Sequence, residues 1–169
     1  MYGTPLIWYT LPSDASEFNV TGISQSYSHL YIIWSSRQNA DLFGPQSLWF
    51  YNANTNPGGN YGNTAQMAYE GGQLGFGYGP ENYIRQRASA RLSAGPNVWN
   101  IHRTLIPNYS SNSKGKMILA DTSAMWAGDT IDTGLIINCW SVNDAMTSIR
   151  FGSNWGPLIA GNFVAIYGV

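Results

Sequence analysis

The chain has 169 residues, of which 44% are hydrophobic, 14% aromatic and only 10% charged, with a net charge of −1. A chain this long removes roughly two-thirds of its unfolded surface from water without metal or disulfide, and its apolar content excludes a disordered polymer. Charge far below the ~25% of ordinary soluble domains resists association weakly, and the lack of a basic excess excludes nucleic acid as a partner.

The opening MYGTPLIWYT lacks the basic and long apolar regions of a signal peptide. No apolar run approaches the ~20 residues that span a bilayer. The expectation is a chain made in the cytoplasm and soluble there, with no membrane partner.

Period-2 alternation and short apolar runs recur along the chain, and no segment carries the 3.6-residue period of a helix. Strands are expected near Pro5–Leu11, Glu17–Ile23, His29–Gln38, Gln46–Ala53 and Thr64–Glu70. Further strands follow near Tyr83–Ser93, Val98–Pro107, Lys116–Thr122, Ile131–Val142, Met146–Gly152 and Phe163–Val169. The breaks between them hold residues that pre-set turn dihedrals: Pro12-Ser13-Asp14, Asn56-Pro57-Gly58-Gly59-Asn60, Gly95-Pro96-Asn97 and Gly156-Pro157. Gly75–Gly79 (GFGYG) fits no dinucleotide fingerprint and precedes no helix, so it reads as a flexible or ladder-edge strand.

In Ile84–Leu92 the residues Ile84, Ala88, Ala90 and Leu92 point one way, and Arg85, Arg87, Ser89 and Arg91 the other. Leu30–Trp34 and Leu48–Tyr51 are apolar on both faces, which predicts a core on one side and a second covering surface on the other. Many short strands without helical crossovers predict an all-β fold: an antiparallel β-sandwich, jelly-roll-like, of about 8–11 strands, in a single domain over residues 1–169.

No constellation for catalysis emerges. The two histidines, His29 and His102, sit inside expected strands without a nucleophile or metal-ligand signature, and read as hydrogen-bonded or surface imidazoles. The nine acids are scattered, and Lys114-Gly115-Lys116 reads as a hairpin tip. Cys139, the single cysteine, lies in GLIINCW and is expected as a buried small hydrophobe. The expectation is therefore no enzyme, no catalytic or metal residues and no cofactor. Two features remain. Arg85, Arg87 and Arg91 form an arginine stripe, which suits either ion pairing at an interface or a solvated strand face. Trp8, Tyr61, Tyr78, Trp126 and Trp155 are candidates for aromatic contact or core.

Five segments carry a resemblance. Tyr27-Ser28-His29-Leu30 resembles a Y-x-H-L strand entry, Phe50–Tyr61 (FYNANTNPGGNY) a strand with an Asn/Asp-Thr-Gly loop, and Ile106-Pro107-Asn108-Tyr109 a mid-chain I-P-x-Y. Ala145–Phe151 (AMTSIRF) is similar to A-I-T-S-I-x-L, and Asn162–Val169 (NFVAIYGV) to a final strand closing on Tyr-Gly-Ile. In this order, over about Phe18 to Val169, they resemble the small β-sandwich virion proteins of tailed phages: capsid decoration (cement) proteins, head fibres and tail-fibre tips. The Trp-bearing first hairpin at Leu6–Tyr9 and the glycine-rich insert Gly71–Gly79 depart from that pattern.

The resemblance implies a bacteriophage structural protein at the virion surface, with no catalytic residues to transfer. A chain that starts at Met1 as one domain, without fibrous repeat or heptads, is expected as capsid decoration. It would act as a homo-oligomer, expected as a trimer, bound to the major capsid protein or another virion protein. The alternative is a receptor-binding tip recognising host surface carbohydrate.

Overall fold

The computed structural model describes residues 3–39, 45–51, 61–69, 72–81, 84–88, 97–125, 131–153 and 156–169. For 45–51, 61–69, 72–81, 85–88, 124–125 and 131–132 it describes backbone and register only. Among these residues there are twelve strands and no helix. They are β1 (Ile7–Thr10), β2 (Glu17–Thr21), β3 (His29–Ser36), β4 (Pro45–Tyr51), β5 (Tyr61–Tyr69) and β6 (Gly72–Glu81). The remainder are β7 (Ile84–Ala88), β8 (Asn100–Pro107), β9 (Lys116–Met125), β10 (Ile131–Trp140), β11 (Ser148–Ser153) and β12 (Phe163–Gly168).

All pairings are antiparallel. One sheet has eight strands in the order β1-β12-β3-β8-β9-β10-β5-β6, the other four in the order β2-β11-β4-β7. With the hairpins β5–β6 and β9–β10 set aside, each sheet keeps four strands. Every remaining step along the chain then changes sheet, except β4 to β7. That alternation is jelly-roll-like, and the two hairpins widen one sheet beyond it.

Alternation within each strand places the core. Phe18 and Val20 of β2 and Ile149 and Phe151 of β11 meet Leu30, Ile32 and Trp34 of β3, Ile106 of β8 and Val164 and Ile166 of β12 in one cluster. Aromatic rings join the sheets, with Trp34 edge-on to both Phe18 and Phe151 at 6.5 and 5.1 Å. At the far side β7 lies against β5, β9 and β10, and Ile84 is fully buried there. The two sheets thus form a face-to-face sandwich.

Each of the eleven expected segments overlaps one strand, and β6, holding Gly75–Gly79, is the twelfth. It is the outermost strand of the larger sheet. Two expectations fail. The first two strands make no hairpin, because β1 pairs with β12 and β2 with β11 in the opposite sheet. Cys139 is exposed, because Ile136, Asn138 and Trp140 take the inward positions of β10. An apolar run does not reveal which parity faces the core.

Polar side chains close the two ends of the sandwich. Buried Asn162 accepts the Arg37 N–H at 3.1 Å and donates to the carbonyls of Arg37 and Ile159 at 2.9 and 2.7 Å. Buried Lys116 donates to the carbonyls of Ser111 at 2.6 Å, Lys114 at 2.8 Å and Asp144, and lies 5.4 Å from the Trp140 ring centroid. It joins the β8–β9 turn to the segment after β10. Burial pulls its ammonium below the ordinary lysine range, and the Asp144 charge opposes that shift. Tyr109, also buried, donates its hydroxyl to the Ser24 carbonyl.

Candidate interaction surface

The larger sheet has an outer face, turned away from the core. Its composition follows from strand parity. Once Leu30, Ile32 and Trp34 point inward on β3, Tyr31 and Ile33 must point outward. On β8, inward Asn100, His102, Thr104 and Ile106 leave Ile101, Arg103 and Leu105 outside. On β9 and β10 the described outward residues are Met117, Leu119, Asp121 and Ser123, and Thr133, Leu135, Ile137 and Cys139.

Register aligns these residues in rows. One row runs Ile33, Arg103, Asp121, Leu135 across β3, β8, β9 and β10. The next runs Tyr31, Leu105, Leu119, Ile137 across the same strands. On the far side, Trp8 of β1 stacks on Phe163 of β12, centroids 5.1 Å apart and planes 10° apart. Tyr31 and Tyr167 sit beside each other at 6.4 Å.

Much of this face is open to solvent: Trp8 is 60% exposed, Met117 59%, Leu135 50%, Ile137 44% and Ile101 41%. These five make up most of the large, exposed hydrophobic side chains among the described residues. The charges on the rows described are Arg103 and Asp121, 3.7 Å apart at the centre. A contiguous apolar face of this kind marks an association surface.

The residues singled out from sequence are not brought together here. Trp8 belongs to the outer face. Arg85 and Arg87 lie in β7, an edge strand of the smaller sheet, where Arg85 is opposite Ser47. Their side chains, and the whole of Arg91, lie outside the described residues. Tyr61 pairs with Trp140 and Glu81 at one end of β5, and Tyr78 with Asn63, with side chains likewise outside the description. Trp126 and Trp155 also lie outside it.

Sequence reasoning missed the outer face of β8–β10. Its residues read as ordinary strand hydrophobes, and only the pairing of Arg103 with Asp121 across two strands shows which parity is outward. Charge scarcity was the available signal, since Arg103 and Asp121 are the first outward charges on either strand.

A second polar arrangement lies inside. Ser36 Oγ is 2.8 Å from His102 Nε2, and both residues are buried. The contact matches a nucleophile–base pair in distance, but not in environment. Burial drives the His102 imidazole down to about 3, so it is neutral and a weak base near pH 7. Its Nδ1 has no hydrogen-bond partner to orient it, and the Trp34 ring covers it at 5.2 Å. His29, by contrast, accepts the Asn108 N–H through Nδ1 at 3.2 Å. Among the described residues no group of three or more His, Cys, Asp or Glu could hold a metal ion.

Comparison with known proteins gives no match: no family model, curated sequence or solved structure aligns significantly with the chain. The class that the structure defines is an all-β antiparallel sandwich whose larger sheet has a largely apolar outer face among the described residues.

Proposed function

We propose that this chain is a non-enzymatic structural protein of a tailed-phage virion, a decoration protein that associates with itself and seats on the capsid surface. The observation that carries the reading is the outer face of the larger sheet. It exposes Trp8, Met117, Leu135 and Ile137 around one ion pair in a chain with 10% charge. A lone solvated sandwich keeps polar side chains on such a face. The ordered motif segments, from Tyr27–Leu30 to Asn162–Val169, support the phage assignment. Burying this face between copies would leave the smaller sheet, with Arg85 and Arg87 on its edge strand β7, for contact with a capsid subunit. Cementing then consists of burying apolar area across seams between capsid proteins.

The exposed stack of Trp8 on Phe163 favours a second reading, a fibre-tip domain whose aromatic platform takes a sugar ring. Two assays on the purified protein separate the readings. Decoration predicts co-sedimentation with undecorated heads of the phage that encodes the protein, and no signal on a glycan array. Glycan binding without head binding would replace decoration by receptor recognition.

A further inference from the structure

We propose that the outer face of the larger sheet pairs with the same face of a second copy, about a two-fold axis running along the strands between β8 and β9. The inference rests on the self-association proposed above and adds the surface and its symmetry.

Arg103 and Asp121 are direct cross-strand partners at the centre of a face whose other described residues on these two rows are Ile33, Leu135, Tyr31, Leu105, Leu119 and Ile137. An isologous interface requires a self-complementary surface. A two-fold axis between β8 and β9, parallel to the strands, sets Arg103 of each copy over Asp121 of the other. The pair within each chain becomes a four-membered alternating cluster, and no charge is left against hydrocarbon. An axis between β3 and β8 would instead set Arg103 over Ile33.

The same axis also matches the other residues of the two rows. It carries Ile33 of one copy over Leu135 of the other, because the two lie at opposite ends of one row, equally far from the axis. It likewise carries Tyr31 over Ile137 and Leu105 over Leu119. Sheets packed face to face cross at about 30°, a rotation that this axis accommodates by bisecting it.

The area suffices. The axis lies at the middle of the eight-stranded sheet, whose strands, about 4.8 Å apart and about 24 Å long, present roughly 900 Å2 of flat surface. A stable specific interface uses about 800 Å2 on each partner. Side-chain relief brings the accessible area above the flat figure. A face that pairs with itself closes as a dimer, in place of the trimer expected from the sequence.

Sedimentation of the purified full chain at ~50 μM tests the pairing. The expected result is twice the 18.6 kDa chain mass. Leu135→Asp, at a position half exposed in the single chain, should return the mass to that of one chain while keeping a β-type far-UV spectrum. The second test is covalent. In Ile33→Cys/Leu135→Cys/Cys139→Ser, the two thiols of one chain are three strand spacings apart, about 14 Å, too far for a disulfide. Facing strands across such an interface lie about 10 Å apart, so a short bismaleimide that spans about 10 Å but not about 14 Å should link two chains into a covalent dimer. A monomeric parent, a trimer, a Leu135→Asp variant of unchanged mass, or no covalent dimer would each overturn the pairing. Co-sedimentation of the parent with phage heads, run in parallel, reports on decoration independently.

Discussion

Phe18 of β2 and Phe151 of β11 stack ring on ring, their centroids 5.1 Å apart and planes 10° apart, while Trp34 from the facing sheet meets both edge-on. Three rings from both layers thus form the centre of the sandwich. Removing the Phe151 ring deletes contacts to both neighbours and leaves a cavity between two sheets that cannot collapse freely. Phe151→Ala should lower the unfolding free energy by about 3–5 kcal/mol. Urea unfolding measures it, and a variant as stable as the parent would refute this arrangement of the core.

Burial drives the His102 imidazole from 6.5 down to about 3. The folded value lies below the unfolded one, so the unfolded chain takes up the proton first as pH falls. The stability tied to neutral His102 is complete above about pH 6.5. It declines by up to ~1.4 kcal/mol per pH unit until the folded imidazole itself protonates near pH 3. Unfolding curves from pH 7 to 4 should therefore fall more steeply for the parent than for His102→Gln. Equal slopes would show that His102 protonates in the folded chain without penalty.

Lys116 holds the backbone carbonyls of Ser111 and Lys114 on one segment and of Val142 and Asp144 on another, distant in sequence. Lys116→Met fills the same space and leaves those acceptors without their donor. The expected loss is about 1–3 kcal/mol. Amide exchange should then quicken first in residues 108–115 and 141–147. A variant with parental exchange there would mean that other donors replace the ammonium.

At Gly168 a Cβ atom would lie 2.3 Å from Cγ of the Tyr27 ring, which rests against the glycine. Gly168→Ala must displace that ring, and should cost about 1–3 kcal/mol by overpacking. Tyr27→Ala/Gly168→Ala removes the clash. It should cost less than the sum of the two single changes, and thermal melts of the four proteins check that non-additivity.

The layout of strands was legible because turn residues and alternation are local. Each expected segment overlaps a strand, and the glycine-rich Gly75–Gly79 was readable as an edge. Sheet membership was not legible. Nothing in Leu6–Tyr9 tells that β1 pairs with the last strand, because that pairing is set by residues more than 150 positions away. Parity failed for the same reason at Cys139, where Ile136, Ile137 and Cys139 are all apolar, yet Ile136 and the polar Asn138 are the ones buried. Ile149 and Phe151 were legible as core, since Ser148 and Arg150 alternate with them. The outer face became visible only once the Arg103–Asp121 row fixed the rows around it.

The central claim is that this sandwich is a structural part of a virion, seated on the head. The most direct measurement is electron microscopy of the phage particle that encodes the chain, at a resolution that separates the two sheets. The account predicts density for the sandwich on the outer surface of the capsid, with the β8–β10 face buried against a second copy. Density confined to the tail tip, or particles lacking the protein altogether, would contradict it.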